Sequence, residues 1–268
     1  MIVTLTTDFG ASEYVAAMKG VLLSMDKDLR IVDVRHDIAP GNVTEGAFAL
    51  FTTAPHFPFA IHVGVVDPGV GTERRGLAVV CEGAIFVGPD NGLLMPAAKR
   101  MGVKDVRELT NPAYWRHPVH PTFHGRDVFA PVAGHLCTGT KVADLGPSIH
   151  DPVDLGFGTP ETTSDGWRAT VISVDRFGNV VTNVPGPEAE GRWAYGAPVR
   201  IEAGRRTLAA LFVRTYANAP RGALLLTVGS HGFLEIAANG DSAARMTGLE
   251  PLASVLLSGA PSHASHPS

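Results

Sequence analysis

The chain has 268 residues, of which 45% are hydrophobic and 18% charged, with a formal net charge of −4. That is ordinary globular composition; it excludes wholesale disorder, and the lack of a basic tract argues against nucleic acid as a partner. The length suits one large domain or two modest ones, with a core large enough to need no disulfide or metal staple.

In chain order, Ile2 to Thr7 is a β-branched run that reads as a strand. Glu13 to Met25 carries Val15, Met18, Leu22 and Met25 as a helical stripe, with Ser12 as its N-cap. Arg30 to Val34 reads as a strand, and Val43 to Thr53 as a helix capped by Asn42. Ala60 to Val66 is apolar on both faces except for His62, as in a sheet covered on both sides. Leu77 to Cys81 and Ile85 to Gly88 form a hairpin over Glu82-Gly83. A short helix over Leu93 to Met101, a strand over Val106 to Leu109 and a helix over Arg126 to Cys137 follow. This alternation predicts α/β layers with a mostly parallel sheet over residues 1–150.

Residues 151–166 read as a linker, within a stretch rich in Pro and Gly. Short strands then dominate 167–258: Trp167 to Val174, Val180 to Asn183, Val199 to Ile201, Thr207 to Val213, Ala223 to Val228, Phe233 to Ala237 and Ala253 to Ser258. Their spacing predicts a small antiparallel barrel or sandwich. Residues 259–268 read as a flexible tail. Cys81 and Cys137 fit no CxxC spacing and are expected to be buried, reduced thiols. The opening residues have no basic n-region, and no apolar run approaches about 18 residues, so a cytoplasmic protein is expected.

Six polar clusters sit at strand or loop ends. Asp8 follows the first strand, where a carboxylate can hold a vicinal diol or simply cap the next helix. Asp67 ends the third strand, and a glycine-rich loop leads from it to Arg74 and Arg75; no Lys-Ser/Thr follows, so this is not a P-loop. Pro89-Asp90-Asn91-Gly92 reads as a turn. His124-Gly125 precedes a helix, and His124 is either a general base or a loop histidine. His117, His120 and His124 suggest a metal, but Pro118 and Pro121 break helical geometry and no carboxylate or Cys joins at ligand spacing. Asp175, Phe177 and Asn179 lie in a hairpin-like turn, and Ser230 in a small-residue turn. Taken singly, the clusters stop at an α/β domain followed by a β domain.

Taken in order, TLTTDFG, HVGVVDPGVGTERR, VGPDNGLL, TFHGRDVFAP, DRFGNVVTN and GSHGFLEIA resemble the S-adenosyl-L-methionine (SAM) hydroxide adenosyltransferases, the SAM hydrolases related to fluorinase and chlorinase. The resemblance implies cleavage of SAM to adenosine and L-methionine by water-derived hydroxide attacking ribose C5′, with no metal or cofactor. It implies an N-terminal α/β domain, a C-terminal β-barrel and a homotrimer with active sites at subunit interfaces. It places a water-handling triad at Asp67, Arg74 and His124, the choice of Arg74 over Arg75 resting on alignment. It places the ribose diol at Asp8, adenine at Phe177 and Asn179 under Tyr216, the methionine amine near Asp175, and its carboxylate at Ser230. His231 stands where fluorinase has an arginine, and His124-Gly125 where it has Tyr-Ser.

The halogenases resembled carry a non-acidic residue at the position of Asp67. A carboxylate there would repel a halide by roughly 4 kcal/mol at about 4 Å and an effective dielectric near 20. The hydroxide branch is therefore expected, the alternatives being a SAM-dependent halogenase and a non-catalytic SAM or adenosine sensor. In the expected chemistry Asp67 and His124 bind one water and take its proton, while Arg74 fixes Asp67.

Overall fold

A computed structural model of the chain describes residues 1–259. These residues divide into two compact units, Met1–Gly156 and a second that begins at Phe157.

The first unit is built on a six-stranded sheet. In chain order it comprises β1 (Ile2–Thr7), α1 (Glu13–Met25), β2 (Arg30–Arg35), α2 (Val43–Thr53), β3 (Ala60–Val65), β4 (Gly76–Cys81), β5 (Ala84–Pro89), α3 (Met95–Arg100), β6 (Val103–Glu108) and α4 (Ala130–Cys137). The strand order is β2-β1-β3-β5-β4-β6. The first four of these run parallel, and β4 is antiparallel to both its neighbours. On one face Val15, Met18 and Leu22 of α1 pack with Phe129, Val132 and Ala133 against Val3, Leu5, Val63 and Val65. On the other face a Cβ at Gly64 would lie 3.0 Å from Leu50 and 3.1 Å from Leu93, so glycine there lets α2 and the segment before α3 press onto β3. Both faces are covered, which is why β3 is apolar throughout apart from His62.

His62 is buried, its Nδ1 is 2.8 Å from Thr4 Oγ1, and its ring stacks on Phe86 with centroids 4.8 Å apart. Burial pushes its pKa down to about 4. The thiols are free: Cys81 is buried and pushed up to about 12, Cys137 is half-buried and pushed up to about 11, both through desolvation.

The expected helix over Arg126 to Cys137 is divided. Gly125–Phe129 forms a π-helical turn, and α4 proper starts at Ala130. Asn42 caps α2 as expected, its side chain accepting from Glu45 N at 3.1 Å. Ser12 occupies the N-cap position of α1, but its hydroxyl makes no capping bond.

The second unit comprises β7 (Glu161–Thr162), β8 (Gly166–Val174), β9 (Val180–Pro185), α5 (Gly186–Arg192), β10 (Pro198–Ala203), β11 (Arg206–Phe212), β12 (Leu224–Val228), β13 (Phe233–Ala238), α6 (Ala243–Thr247) and β14 (Ser254–Gly259). Seven strands, in the order β14-β10-β11-β12-β13-β9-β8, close into a barrel through the β14–β8 pairing, and β7 extends β8. Among the described residues β11–β12 is the one parallel pair of the barrel. Trp193 follows α5 and packs edge-on against Trp167 at 5.1 Å and Phe212 at 6.0 Å. The two short helices were not expected. For α6 the signals are present: the Ser242 side chain accepts from Arg245 N, and Gly248 ends the helix with φ +74°. The strand expected to stop at Ser258 continues to Gly259, and the rest of the expected tail lies outside the described residues.

Candidate active site

β1 and β3 are parallel neighbours, so their carboxyl ends open on the same edge of the sheet. Asp8 directly follows β1, and Asp67 comes two residues after β3. The turn Pro89-Asp90-Asn91-Gly92 braces that strand end: Asn91 Nδ2 donates to Val66 O at 2.8 Å, and Asn91 Oδ1 accepts from Leu93 N at 3.2 Å. After Asp67 the chain doubles back, with Val70 N donating to Asp67 O and Thr72 N to Gly69 O, each at 3.2 Å. Gly71 sits at φ +79°, and a Cβ there would fall 2.6 Å from Pro121 O. Glycine is needed at this point so that the loop leading to Arg74 can lie against the loop leading to His124.

Arg74 grips Asp67 with two nitrogens. Nε lies 2.9 and 3.1 Å from the two carboxylate oxygens, and Nη2 lies 2.5 Å from Oδ2. The same Nη2 is 2.9 Å from His124 Nδ1. The guanidinium also sits over the Phe129 ring at 5.1 Å. The Asp67 side chain is 5% exposed and that of Arg74 12%, so the pair is largely removed from solvent. Burial and then the charge of Arg74 hold the His124 pKa below the usual imidazole value, against weaker upward pulls from Asp67 and Asp127. A guanidinium N–H aimed at Nδ1 requires the unprotonated face of a neutral ring, so the His124 proton resides on Nε2.

The His124 loop is tied down by Asp127, which is fully buried. Its carboxylate accepts from His120 N at 2.9 Å, from Arg126 Nε and Nη2 at 2.7 Å each, and from Arg116 Nη1 at 3.1 Å. His117 Nε2 is 2.9 Å from Pro112 O, and His120 Nδ1 is 2.9 Å from Thr122 Oγ1. The three histidines are thus engaged separately, and among the described residues no group of three or more His, Cys, Asp or Glu side chains is gathered to hold a metal.

Asp8, Asp67 and His124 line one cavity of about 540 Å³. Its apolar wall is a cluster of Phe9, Tyr14 and Phe123, with ring centroids 5.0 to 5.9 Å apart. Asp8 Oδ2 accepts from Gly41 N at 2.8 Å. Arg74 lies behind the wall and, with His124, borders a second cavity of about 380 Å³. Arg75 is aimed elsewhere. It pairs with buried Asp90 at 2.6 Å and donates to Asp151 Oδ1 at 2.9 Å and Asp151 O at 2.8 Å. The aromatic wall escaped the sequence reading, which took Asn91 as part of a turn, as it is. Spacing alone carries no sign of which aromatic residues converge.

In the second unit Asp175, Phe177, Asn179 and Tyr216 line a cavity of about 980 Å³. Phe177 is 71% and Tyr216 45% exposed, so two aromatic rings stand open at its border. Asp175 builds the turn beneath: Oδ1 accepts from Phe177 N at 2.8 Å and Asn179 N at 2.9 Å, and Oδ2 accepts from Asn179 Nδ2 at 2.9 Å. Gly178, at φ +84°, completes the turn close against Ser242. Ser230 lies apart from this cluster, exposed in the Gly229–Gly232 turn.

A parallel-rich α/β unit with a carboxylate, a guanidinium and an imidazole linked at the carboxyl edge of its sheet, followed by a closed β-barrel, defines a two-domain enzyme class. Family models described as the SAM hydroxide adenosyltransferase N-terminal and C-terminal domains match residues 3–146 and 169–256. The chain belongs to the SAM hydroxide adenosyltransferase family. A relative from Salinispora arenicola, named (R)-S-adenosyl-L-methionine hydrolase, is 42% identical over 93% of this chain and 94% of its own length. One of the same name from Methanocaldococcus jannaschii is 34% identical over 94% and 93%. A protein from Actinoplanes named fluorinase is more distant, at 27% identity over 89% and 91%. The crystal structure of an uncharacterized conserved protein from Thermotoga maritima superposes with a TM-score of 0.87 at 32% identity, covering 96% of this chain and all of that one. Among the described residues no helix is long and apolar enough to cross a membrane.

Proposed function

We propose that this protein hydrolyses SAM to adenosine and L-methionine, with Asp67, Arg74 and His124 presenting one water to ribose C5′. The observation that carries this reading is the linked set Asp67–Arg74–His124, with Asp67 and His124 lining the Asp8 cavity and Arg74 joining them from behind. The sulfonium of SAM makes methionine a good leaving group, so no acid is needed at sulfur. The demand falls on the nucleophile, since free water has a pKa of about 15.7.

The His124 tautomer divides the labour. Nδ1 already accepts from Arg74, so the ring keeps its Nε2–H as a donor to the water oxygen. Removal of the water proton therefore falls to Asp67, whose oxygens retain lone pairs beyond those Arg74 uses. This departs from the expectation that both side chains take the proton. As the O–C5′ bond forms, one water proton passes to Asp67, the C5′–S bond breaks, and its electron pair stays on sulfur. The net reaction turns cationic SAM and water into adenosine, methionine and a released proton. Alignment behind C5′ can contribute about 7–11 kcal/mol of the barrier reduction.

Asp8 would hold the ribose diol, and Phe177, Asn179 and Tyr216 the adenine. Asp175 would act near the methionine amine and Ser230 at its carboxylate. The curated relatives are named for the (R) configuration at sulfur, and we extend that preference to this chain. The assembly we propose is a homotrimer with shared sites, which light scattering in solution reads directly. For the reaction, SAM is incubated in halide-free buffer enriched in heavy-oxygen water, each sulfonium epimer separately. Equimolar adenosine and methionine are expected, with the label in the 5′-hydroxyl. Unlabelled adenosine would exclude attack by water at C5′.

A further inference from the structure

Glu235 is a carboxylate buried on the outer face of a barrel strand. In β13, Leu234, Ile236 and Ala238 face the barrel core, so Glu235 belongs to the outer face. That face is nonetheless covered: Ala237, two residues on, packs with Val213, Ala219 and Leu225, and Glu235 is only 4% exposed. A carboxylate so placed costs free energy unless its oxygens are satisfied. Both are. Tyr216 Oη donates to Oε1 at 2.5 Å, and His231 Nε2 lies 3.1 Å from Oε2. Phe233 N donates to His231 Nδ1 at 3.1 Å, which leaves the ring proton on Nε2, pointing at Glu235.

The two donors come from different parts of the rim. Tyr216 belongs to the connection between β11 and β12 and borders the 980 Å³ cavity. His231 belongs to the turn between β12 and β13 that carries Ser230. A Cβ at Gly229 would lie 2.3 Å from His231 Nε2 and 2.7 Å from Glu235 Oε2, so the turn is closed tightly onto this pair.

We propose that Glu235 is a positioning residue for substrate binding, holding the Tyr216 ring and the Gly229–His231 turn in one fixed arrangement from beneath the barrel rim. A phenol whose oxygen is anchored has lost rotation about its side chain before any ligand arrives. The open ring then stacks on a purine without a further ordering cost. Burial, and then the hydrogen bond to Glu235, holds the Tyr216 hydroxyl well above the usual phenol pKa, so it remains a donor throughout the physiological range. The chemical class read by this device is a nucleoside with a planar base, its amino-acid substituent lying near the Ser230 turn. The proposal rests on the nucleoside reading of that cavity.

The test uses the full chain and three variants. Glu235→Gln keeps the shape but can accept from only one of the two donors. Tyr216→Phe keeps the ring and removes its anchor; because it also takes a donor from buried Glu235, a thermal melt accompanies it. Gly229→Ala crowds the pair without removing either. Each is expected to raise the KM for SAM and the Kd for adenosine roughly tenfold, the scale of one hydrogen bond to a charged group, with kcat nearly unchanged. The Glu235→Gln/Tyr216→Phe double variant should be no worse than the more affected single variant. In an ultraviolet titration of tyrosinate, Glu235→Gln should bring one phenol down, and Tyr216→Phe should remove that phenol. Full additivity, or thermal destabilisation with KM and Kd untouched, would make Glu235 merely structural and overturn the proposal. Adenosine binding reads Glu235 independently of turnover. If the unaltered chain binds adenosine but leaves SAM intact, the hydrolase reading fails alone; if it binds no adenosine, both fail.

Discussion

Replacing Asp67 with asparagine removes the charge and keeps the volume. Arg74 presents Nε and Nη2 to the carboxylate at 2.5 to 3.1 Å, and a carboxamide offers one oxygen and one N–H₂ in its place. One donor then faces a donor, and a bidentate, charge-assisted pair is lost. The group proposed to take the water proton is lost with it, an effect of about 10²–10⁴ in rate by itself. Since Arg74 also positions His124, a disturbed guanidinium misplaces the second water contact, and kcat should fall by about 10³ or more. Leaving the largely buried Arg74 without its counter-ion should cost about 3 kcal/mol, the low end for a broken buried pair because His124, Arg75 O and the Phe129 ring remain. For a chain of this size that is a Tm lower by about 6–12 °C. The adenosine Kd should stay within about threefold, because Asp67 belongs to the water and not to the base. Product chromatography, calorimetry with adenosine and a thermal melt give the three readouts. An Asp67→Asn enzyme that kept kcat within tenfold of the unaltered chain would refute the assignment of the proton acceptor.

The two adjacent arginines should separate cleanly. Arg74→Ala should lower kcat at least about a hundredfold, while Arg75→Ala, which unpairs buried Asp90 and frees Asp151, should lower Tm and leave kcat within about threefold. Equal kinetic losses would mean that the arginine assignment is wrong. Protonation of His124 would set an N–H against the N–H of Arg74, and its pKa is held below the ordinary 6.5. The kcat profile should therefore fall on its acid side with a midpoint below 6.5; a midpoint above 6.5 would assign the limb to another group. His62 resists protonation in the folded chain down to about 4 but takes a proton near 6.5 when unfolded. The unfolded state thus binds more protons in that window, and stability should drop by about 3 kcal/mol as pH falls through it. Urea unfolding at neutral and acid pH should show this slope, and His62→Asn should flatten it.

The residues by themselves determined most of the scaffold. The β-branched run of β1, the helical stripe of α1, the Asn42 cap of α2 and the two-faced apolar run of β3 put these elements almost where they lie, because each pattern has one low-energy way to be buried. The resemblance of the ordered motif strings supplied Asp67, Arg74 and His124 as an expected triad, whereas taken singly each stood in an ordinary turn or loop. Between Arg74 and Arg75 the choice of Arg74 rested on alignment alone. The fold supplies a physical reason, turning the first onto Asp67 and His124 and the second onto Asp90 and Asp151. The tautomer of His124, and with it the division of labour over the water, also depends on which atom faces Nδ1, a question of ångströms that spacing does not encode. Glu235 is the clearest case. Along the strand it alternates like any solvent-facing residue, and it becomes a buried anchor only because a connection some twenty residues away in sequence folds over it. Local patterns fix which face of an element is apolar; what covers the opposite face is decided by the path of the remaining chain.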